Sequence, residues 1–169
     1  MRTDPAIRVA RPTDATSVAE FHARVWRETY ESMAPQQALE KLDASHRLPK
    51  WALAVRGNQI LGLICFGPPT DPAFKGCGEI KHLYVGSTAK RQGIGRRLMK
   101  CAFDKLLADG FGGFALAVVR ENETALLFYE KMGGRLDGHF VDAGPIWKSD
   151  NLIVVWDAYP GAGNVLRSS

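Results

Sequence analysis

Apolar residues recur along this chain with two periods, one close to 2 and one close to 3.6. Ile7-Arg8-Val9 alternates as a short strand does, and Pro12-Thr13-Asp14 supplies a turn and an N-cap residue ahead of a helical stretch. Val18, Phe21, His22, Val25, Trp26 and Thr29 stand at helical spacing. This helix is expected to end near Met33, because Pro35 disfavours helical geometry at the residue before it, and Pro35 can open a second short helix to about Leu42.

Residues 51–55 then read as a strand, Gly57-Asn58 as a hairpin turn, and residues 60–66 as the antiparallel partner, closed by Pro68-Pro69. After a loop over residues 70–78, residues 79–85 form another strand that leads through a Gly-containing turn into a helix over residues 94–109. Leu98, Met99, Ala102, Leu106 and Leu107 mark the buried stripe of that helix. Gly110 stops it, and residues 114–119, Phe-Ala-Leu-Ala-Val-Val, are apolar almost without interruption, as a central strand covered on both faces is. A helix over residues 123–131 ends at Gly133, and residues 135–140 and 152–156 give two last strands. The order is strand, two helices, three strands, helix, strand, helix, two strands. It predicts an α/β domain over residues 1–157, a mixed sheet with helices on both faces, followed by a loose tail over residues 158–169 containing Pro160, Gly161 and Gly163.

Composition narrows the class without changing this picture. With 46% hydrophobic and 24% charged residues the chain can fill one core. No apolar run approaches the roughly 20 residues of a membrane span, and the N-terminus lacks an apolar signal core, so a cytoplasmic protein without membrane attachment is expected. Cys65, Cys77 and Cys101 lie far apart, form no CxxC pair and have no histidine at ligand spacing, which predicts free thiols and no metal. The formal charge of +4 is spread along the chain except at Lys90, Arg91, Arg96 and Arg97, a grouping that fits a local anion site rather than a nucleic-acid surface.

That group surrounds Lys90-Arg91-Gln92-Gly93-Ile94-Gly95-Arg96-Arg97, between a predicted strand and a predicted helix. Backbone N–H groups at a helix start point at an anion, and residues without Cβ let the main chain approach a pyrophosphate closely. Taken alone the two glycines could merely shape a turn. Together with Leu83-Tyr84-Val85 before it and Asn122-Glu123-Thr124-Ala125-Leu126-Leu127-Phe128-Tyr129-Glu130-Lys131-Met132-Gly133 after it, the turn resembles the GNAT N-acetyltransferase superfamily. The family's first motif opens with Arg or Gln, where this chain has Lys90. The resemblance implies a mixed, mostly antiparallel sheet of about seven strands with splayed central strands. It also implies acetyl-CoA as acyl donor, with Lys90, Arg91, Gln92, Gly93, Ile94, Gly95 and Arg96 around its diphosphate. Leu83, Tyr84 and Val85 would present main-chain groups to the pantetheine arm.

The chemistry expected of such a chain is transfer of an acetyl group to a primary amine of a small molecule or peptide, directly within a ternary complex. An amine at neutral pH is protonated, so attack on a thioester requires a base. Glu79 matches by spacing the glutamate some family members use, fourteen positions before Gly93. It could instead be a strand-end carboxylate paired with Lys81, and His82 is the rival base or a packed strand histidine. Tyr129 occupies the position of the family's general acid, and Asn122 that of a pantetheine contact as well as a helix N-cap. The Val85 N–H is expected to meet the thioester oxygen. Trp26 and Tyr30, with Glu79, are expected to meet the acceptor, or else the two aromatics fill the core. A homodimer is compatible with such a chain. Two other readings stay open: an acyl-CoA-binding regulatory module without turnover, and a nucleotide-binding protein. A dinucleotide oxidoreductase is disfavoured, because its glycine turn would follow the first strand.

Overall fold

A computed structural model describes residues 3–33, 50–142, 144 and 147–157. Its strands are β1 (Ala6–Val9), β2 (Trp51–Arg56), β3 (Gln59–Gly67), β4 (Gly78–Val85), β5 (Phe114–Val119), β6 (Arg135–Asp142) and β7 (Ser149–Trp156). Its helices are α1 (Ala15–Tyr30), α2 (Ile94–Ala108) and α3 (Glu123–Lys131), with short 3₁₀ turns at Pro12–Asp14, Pro72–Phe74 and Ser87–Ala89. The short helix expected from Pro35, and the tail beyond residue 157, lie outside the described residues.

The strands form one seven-stranded sheet in the order β1-β2-β3-β4-β5-β7-β6. Every pairing is antiparallel except β4 with β5. The parallel pair is joined through α2, the crossover that parallel neighbours require. As its unbroken apolar sequence predicts, β5 is flanked on both sides, by β4 and β7. Two large clusters, with a smaller one of Phe74, Ala115, Ile153 and Val155, cover the faces of the sheet. Val18, Phe21 and Val25 of α1 pack on Trp51, Leu53, Leu63, Cys65 and Tyr84. Ile94, Leu98, Met99, Ala102, Phe103 and Leu106 of α2 pack with Tyr129 and Met132 against Ile80, Phe114 and Leu116.

The start of α1 is set by one ion pair. Asp14 accepts from Arg8 Nη1 at 2.7 Å and Nη2 at 2.9 Å, and from the Arg11 N–H at 2.7 Å. The Arg8 hydrogen bonds, then the Arg11 N–H, hold the Asp14 carboxyl well below the usual carboxylate range. This locks the helix that carries Trp26 and Tyr30 to strand β1.

Two sequence expectations shift. Leu107 is 48% exposed rather than part of the buried stripe, since at about 100° per residue it cannot face the sheet beside Leu106. The stripe is completed by Phe103 instead, 1% exposed and stacked on Phe114 at 4.4 Å between ring centroids. The first helix ends at Tyr30 and a turn follows, in which the Met33 N–H reaches the Tyr30 carbonyl at 3.0 Å.

Candidate active site

The two parallel strands are paired only at Gly78 with Phe114 and at Glu79 with Ala115. Beyond those residues β4 and β5 part, and the main chain of β4 from Ile80 to Val85 has β3 as its neighbour on one edge and open space on the other. Successive N–H groups of a strand alternate between its edges. Because the Gly86 N–H is given to Leu61 of β3 at 2.9 Å, the Val85 N–H, and the Leu83 N–H two residues earlier, face the gap. The opening is a cleft of about 860 Å³ running from α1 to the start of α2.

At one end the cleft meets the glycine turn. Arg91 and Gly93 both lie in the left-handed region, at φ 64° and 74°, a conformation natural for Gly and costing a side-chain residue about 1 kcal/mol. Gly93 is the N-cap of α2 and supplies no side-chain cap. The helical ladder closes only at Arg97, whose N–H reaches the Gly93 carbonyl at 3.1 Å, so the N–H groups before it have no acceptor within the helix. A Cβ on Gly95 would stand 3.2 Å from the Phe128 ring, while one on Gly93 would point into open space. An uncapped helix start, Lys90 and Arg91 on the same cleft wall, and room beside Gly93 together form an anion cradle.

The sequence-predicted residues divide. Leu83, Tyr84, Val85, Lys90, Arg91, Gly93, Ile94, Gly95, Asn122, Tyr129 and Tyr30 line the cleft. Gln92, Arg96, Trp26 and Glu79 are not part of its lining. The Gln92 side chain folds back, giving Nε2 to the Thr88 carbonyl at 3.3 Å, and Arg96 is exposed. Asn122 caps α3 by accepting from the Ala125 N–H at 3.2 Å, which uses Oδ1 and leaves its two Nδ2 donors.

Glu79 is 7% exposed, and its Oε2 is taken by the Thr70 N–H at 2.7 Å, the Thr70 hydroxyl at 2.8 Å and Lys81 Nζ at 3.2 Å. Tyr129 is 8% exposed with its ring edge toward Trp156 and Phe128. Burial, with the Tyr30 phenol adding, holds the Tyr129 phenol far above its ordinary value, so it keeps its proton throughout the neutral range. The Tyr84 hydroxyl shares a hydrogen bond with that of Tyr30, and burial raises both phenols as well. Three protonated phenols, on α1, β4 and α3, therefore belong to residues that line the cleft. Cys65 offers no nucleophile, because burial pushes its thiol up to about 12.

The profile of the Acetyltransferase (GNAT) family matches residues 16–134, the stretch from α1 through the end of α3 that builds the parted strands and the turn. The chain belongs to this family. It is thus an acyltransferase by kinship. A probable N-acetyltransferase of Mycobacterium tuberculosis is 32% identical over 145 residues, covering 78% of this chain and 80% of that one. An uncharacterized N-acetyltransferase of Bacillus subtilis is 27% identical over 133 residues, covering 73% and 76%. Among solved structures, a putative acetyltransferase from Salmonella typhimurium with acetyl-CoA aligns at TM-score 0.69 and 16% identity, over 91% of this chain and 94% of that one. The PaiA N-acetyltransferase from Thermoplasma acidophilum in complex with coenzyme A aligns at TM-score 0.69 and 18% identity, over 91% and 99%. These likenesses carry the GNAT fold, including its mixed sheet.

Within this GNAT domain a third aromatic ring joins Trp26 and Tyr30. Trp147, between β6 and β7, sets its ring 5.7 Å from Tyr30 and 6.4 Å from Trp26, and the latter two rings are 5.1 Å apart. In the sequence, a tryptophan two positions after a proline, between the last two predicted strands, is the signal that could have found it. Among the described residues no group of three or more His, Cys, Asp or Glu is placed to hold a metal, and no helix is long and apolar enough to cross a membrane.

Proposed function

We propose that this GNAT chain is an N-acetyltransferase that takes acetyl-CoA as donor and moves the acetyl group to a primary amine, with both substrates bound together. The observation that carries this reading is the cradle at Gly93 standing at one end of the gap between β4 and β5, with Tyr129 at the same gap. The residues present fit coenzyme A chemically. A diphosphate suits the N–H groups of residues 93–96 and the charges of Lys90 and Arg91. Arg96 serves through its main-chain N–H, and Gln92 through the bond that its side chain gives to the Thr88 carbonyl within the turn. The pantetheine amides suit the gap-facing N–H groups of Leu83 and Val85 and the Nδ2 donors of Asn122. Two relatives named as N-acetyltransferases, and the acetyl-CoA and coenzyme A held by two structural neighbours, agree with it.

When bound, the coenzyme supplies a thioester carbon open to attack by nitrogen. The Val85 N–H stabilises the oxygen as charge develops there, and the protonated Tyr129 phenol donates to sulfur as the C–S bond breaks. Tyr30 walls the acceptor end, and the Trp26 and Trp147 rings pack behind it. Glu79 enters as the carboxylate that fixes Lys81 and the Thr70 turn below that end. Thiol release from acetyl-CoA across a panel of primary amines tests the reading. It should rise above the solvent background with at least one amine and yield the N-acetyl product. Tight coenzyme binding with no amine-dependent release would instead mark a binding module.

A further inference from the structure

β4 carries a bulge that re-aims its side chains. Cys65 of β3 pairs with His82 and Phe66 with Ile80, so Lys81 is an extra residue opposite β3. An unbroken strand would put residues 79 and 82 on opposite faces. With Lys81 inserted, both lie on the face covered by α1. Ile80 packs with α2, Glu79 pairs with Ala115, which packs with Phe74, Ile153 and Val155 away from the α2 cluster, and His82 stacks on Tyr84 of the α1 cluster. Of this pair His82 lines the cleft and Glu79 does not. His82 is half-buried, whereas Glu79 has its Oε2 engaged by three donors.

We infer that His82 is the catalytic base that takes the proton of the acceptor amine, with His22 of α1 as the positioning residue behind it. This assignment rests on the acetyltransferase reading above. The His22 ring is 7% exposed and lies 4.8 Å from His82 and 5.1 Å from Tyr84 between ring centroids. Trp51 of β2 stacks on His82 at 5.9 Å, and Cys65 of β3 stands opposite it in the sheet. On its own strand His82 has Lys81, already paired with Glu79, on one side and Tyr84 beyond. From α1, Tyr30 and Glu28 also face the cleft. His82 is thus packed among rings on the wall of the cleft where the thioester would lie.

The ammonium group gives one proton to the His82 imidazole, which releases it to solvent. The freed nitrogen lone pair forms the N–C bond, the C–S bond breaks, sulfur takes the Tyr129 proton, and the second proton shed by nitrogen restores the phenol. One proton is released per turnover.

The test compares wild type, His82→Gln, His22→Gln and Glu79→Gln for steady-state kinetics over pH 5.5 to 9, together with acetyl-CoA binding by titration calorimetry. His82→Gln should lower kcat about 100-fold at pH 7. Its acetyl-CoA affinity should stay within about twofold, and it should lose the acidic limb that imidazole titration places between pH 5 and 8. His22→Gln should keep that limb but displace it, and Glu79→Gln should keep it in place with kcat within about fivefold. A His82→Gln enzyme within about threefold of wild type, or one that retains the limb, overturns the assignment. So does loss of the limb in Glu79→Gln. A wild type that binds acetyl-CoA and acetylates no amine overturns the transferase reading and this assignment with it.

Discussion

Tyr129→Phe should lower kcat about 100-fold at neutral pH while the acetyl-CoA dissociation constant stays within about twofold. The separation of the two effects follows from what the side chain does in the fold. Its ring packs edge-on toward Trp156 and against Phe128 inside the core cluster of α2 and α3, and phenylalanine keeps that ring. Only the hydroxyl is lost, and that hydroxyl is the protonated group nearest in role to the leaving sulfur. Since burial keeps it protonated far above neutrality, its loss should depress the rate by a similar factor across pH 6 to 9. Equal turnover in the variant and wild type would remove Tyr129 as the acid. A large loss of affinity would instead make it a binding residue.

Gly93→Val should weaken acetyl-CoA binding by about 100-fold or more. Two effects act together. At φ 74° a β-branched residue is strained by about 1 to 2 kcal/mol, and the N-cap can relax only by turning the first N–H groups of α2 away from the cleft. The new side chain also enters the open space beside those groups, where a diphosphate would sit. Loss of two charge-assisted hydrogen bonds, at about 1.5 to 3 kcal/mol each, is enough for a hundredfold drop. Gly93→Ala brings the strain with a single small carbon and should lose less. Titration calorimetry checks both, with thermal unfolding to show that each variant is folded. Wild-type affinity in Gly93→Val would mean that the turn does not hold the diphosphate.

Much of this arrangement was legible in local sequence. The glycine turn between strand and helix, the unbroken apolar run of β5, and the Asn122 cap with Gly133 as stop are each decided by neighbours a few residues apart. Gly133 indeed adopts φ 86°. What stayed hidden depends on pairing between distant segments. Strict alternation along β4 separates Glu79 from His82, and only the register of β3 against β4 reveals the extra residue at Lys81 that brings them to one face. Glu79 matched a spacing, yet the spacing carries no record that Thr70, nine residues earlier, would turn back and occupy its carboxylate. The left-handed conformation of Arg91 was equally hidden, since residue type favours it at Gly93 and not one position away from Gln92. Trp147 met Tyr30 and Trp26 across more than a hundred residues of chain, a contact no local period encodes.

The cradle, the parted strands and Tyr129 act together only where one coenzyme runs past all three, and a crystal structure of the chain grown with acetyl-CoA measures that directly. It should show the diphosphate within hydrogen-bond distance of the N–H groups of residues 93–96, the pantetheine arm between β4 and β5, and the thioester beside Tyr129 with its oxygen toward the Val85 N–H. A coenzyme bound elsewhere, or threaded through the gap with its thioester at the Gly93 end, would contradict it.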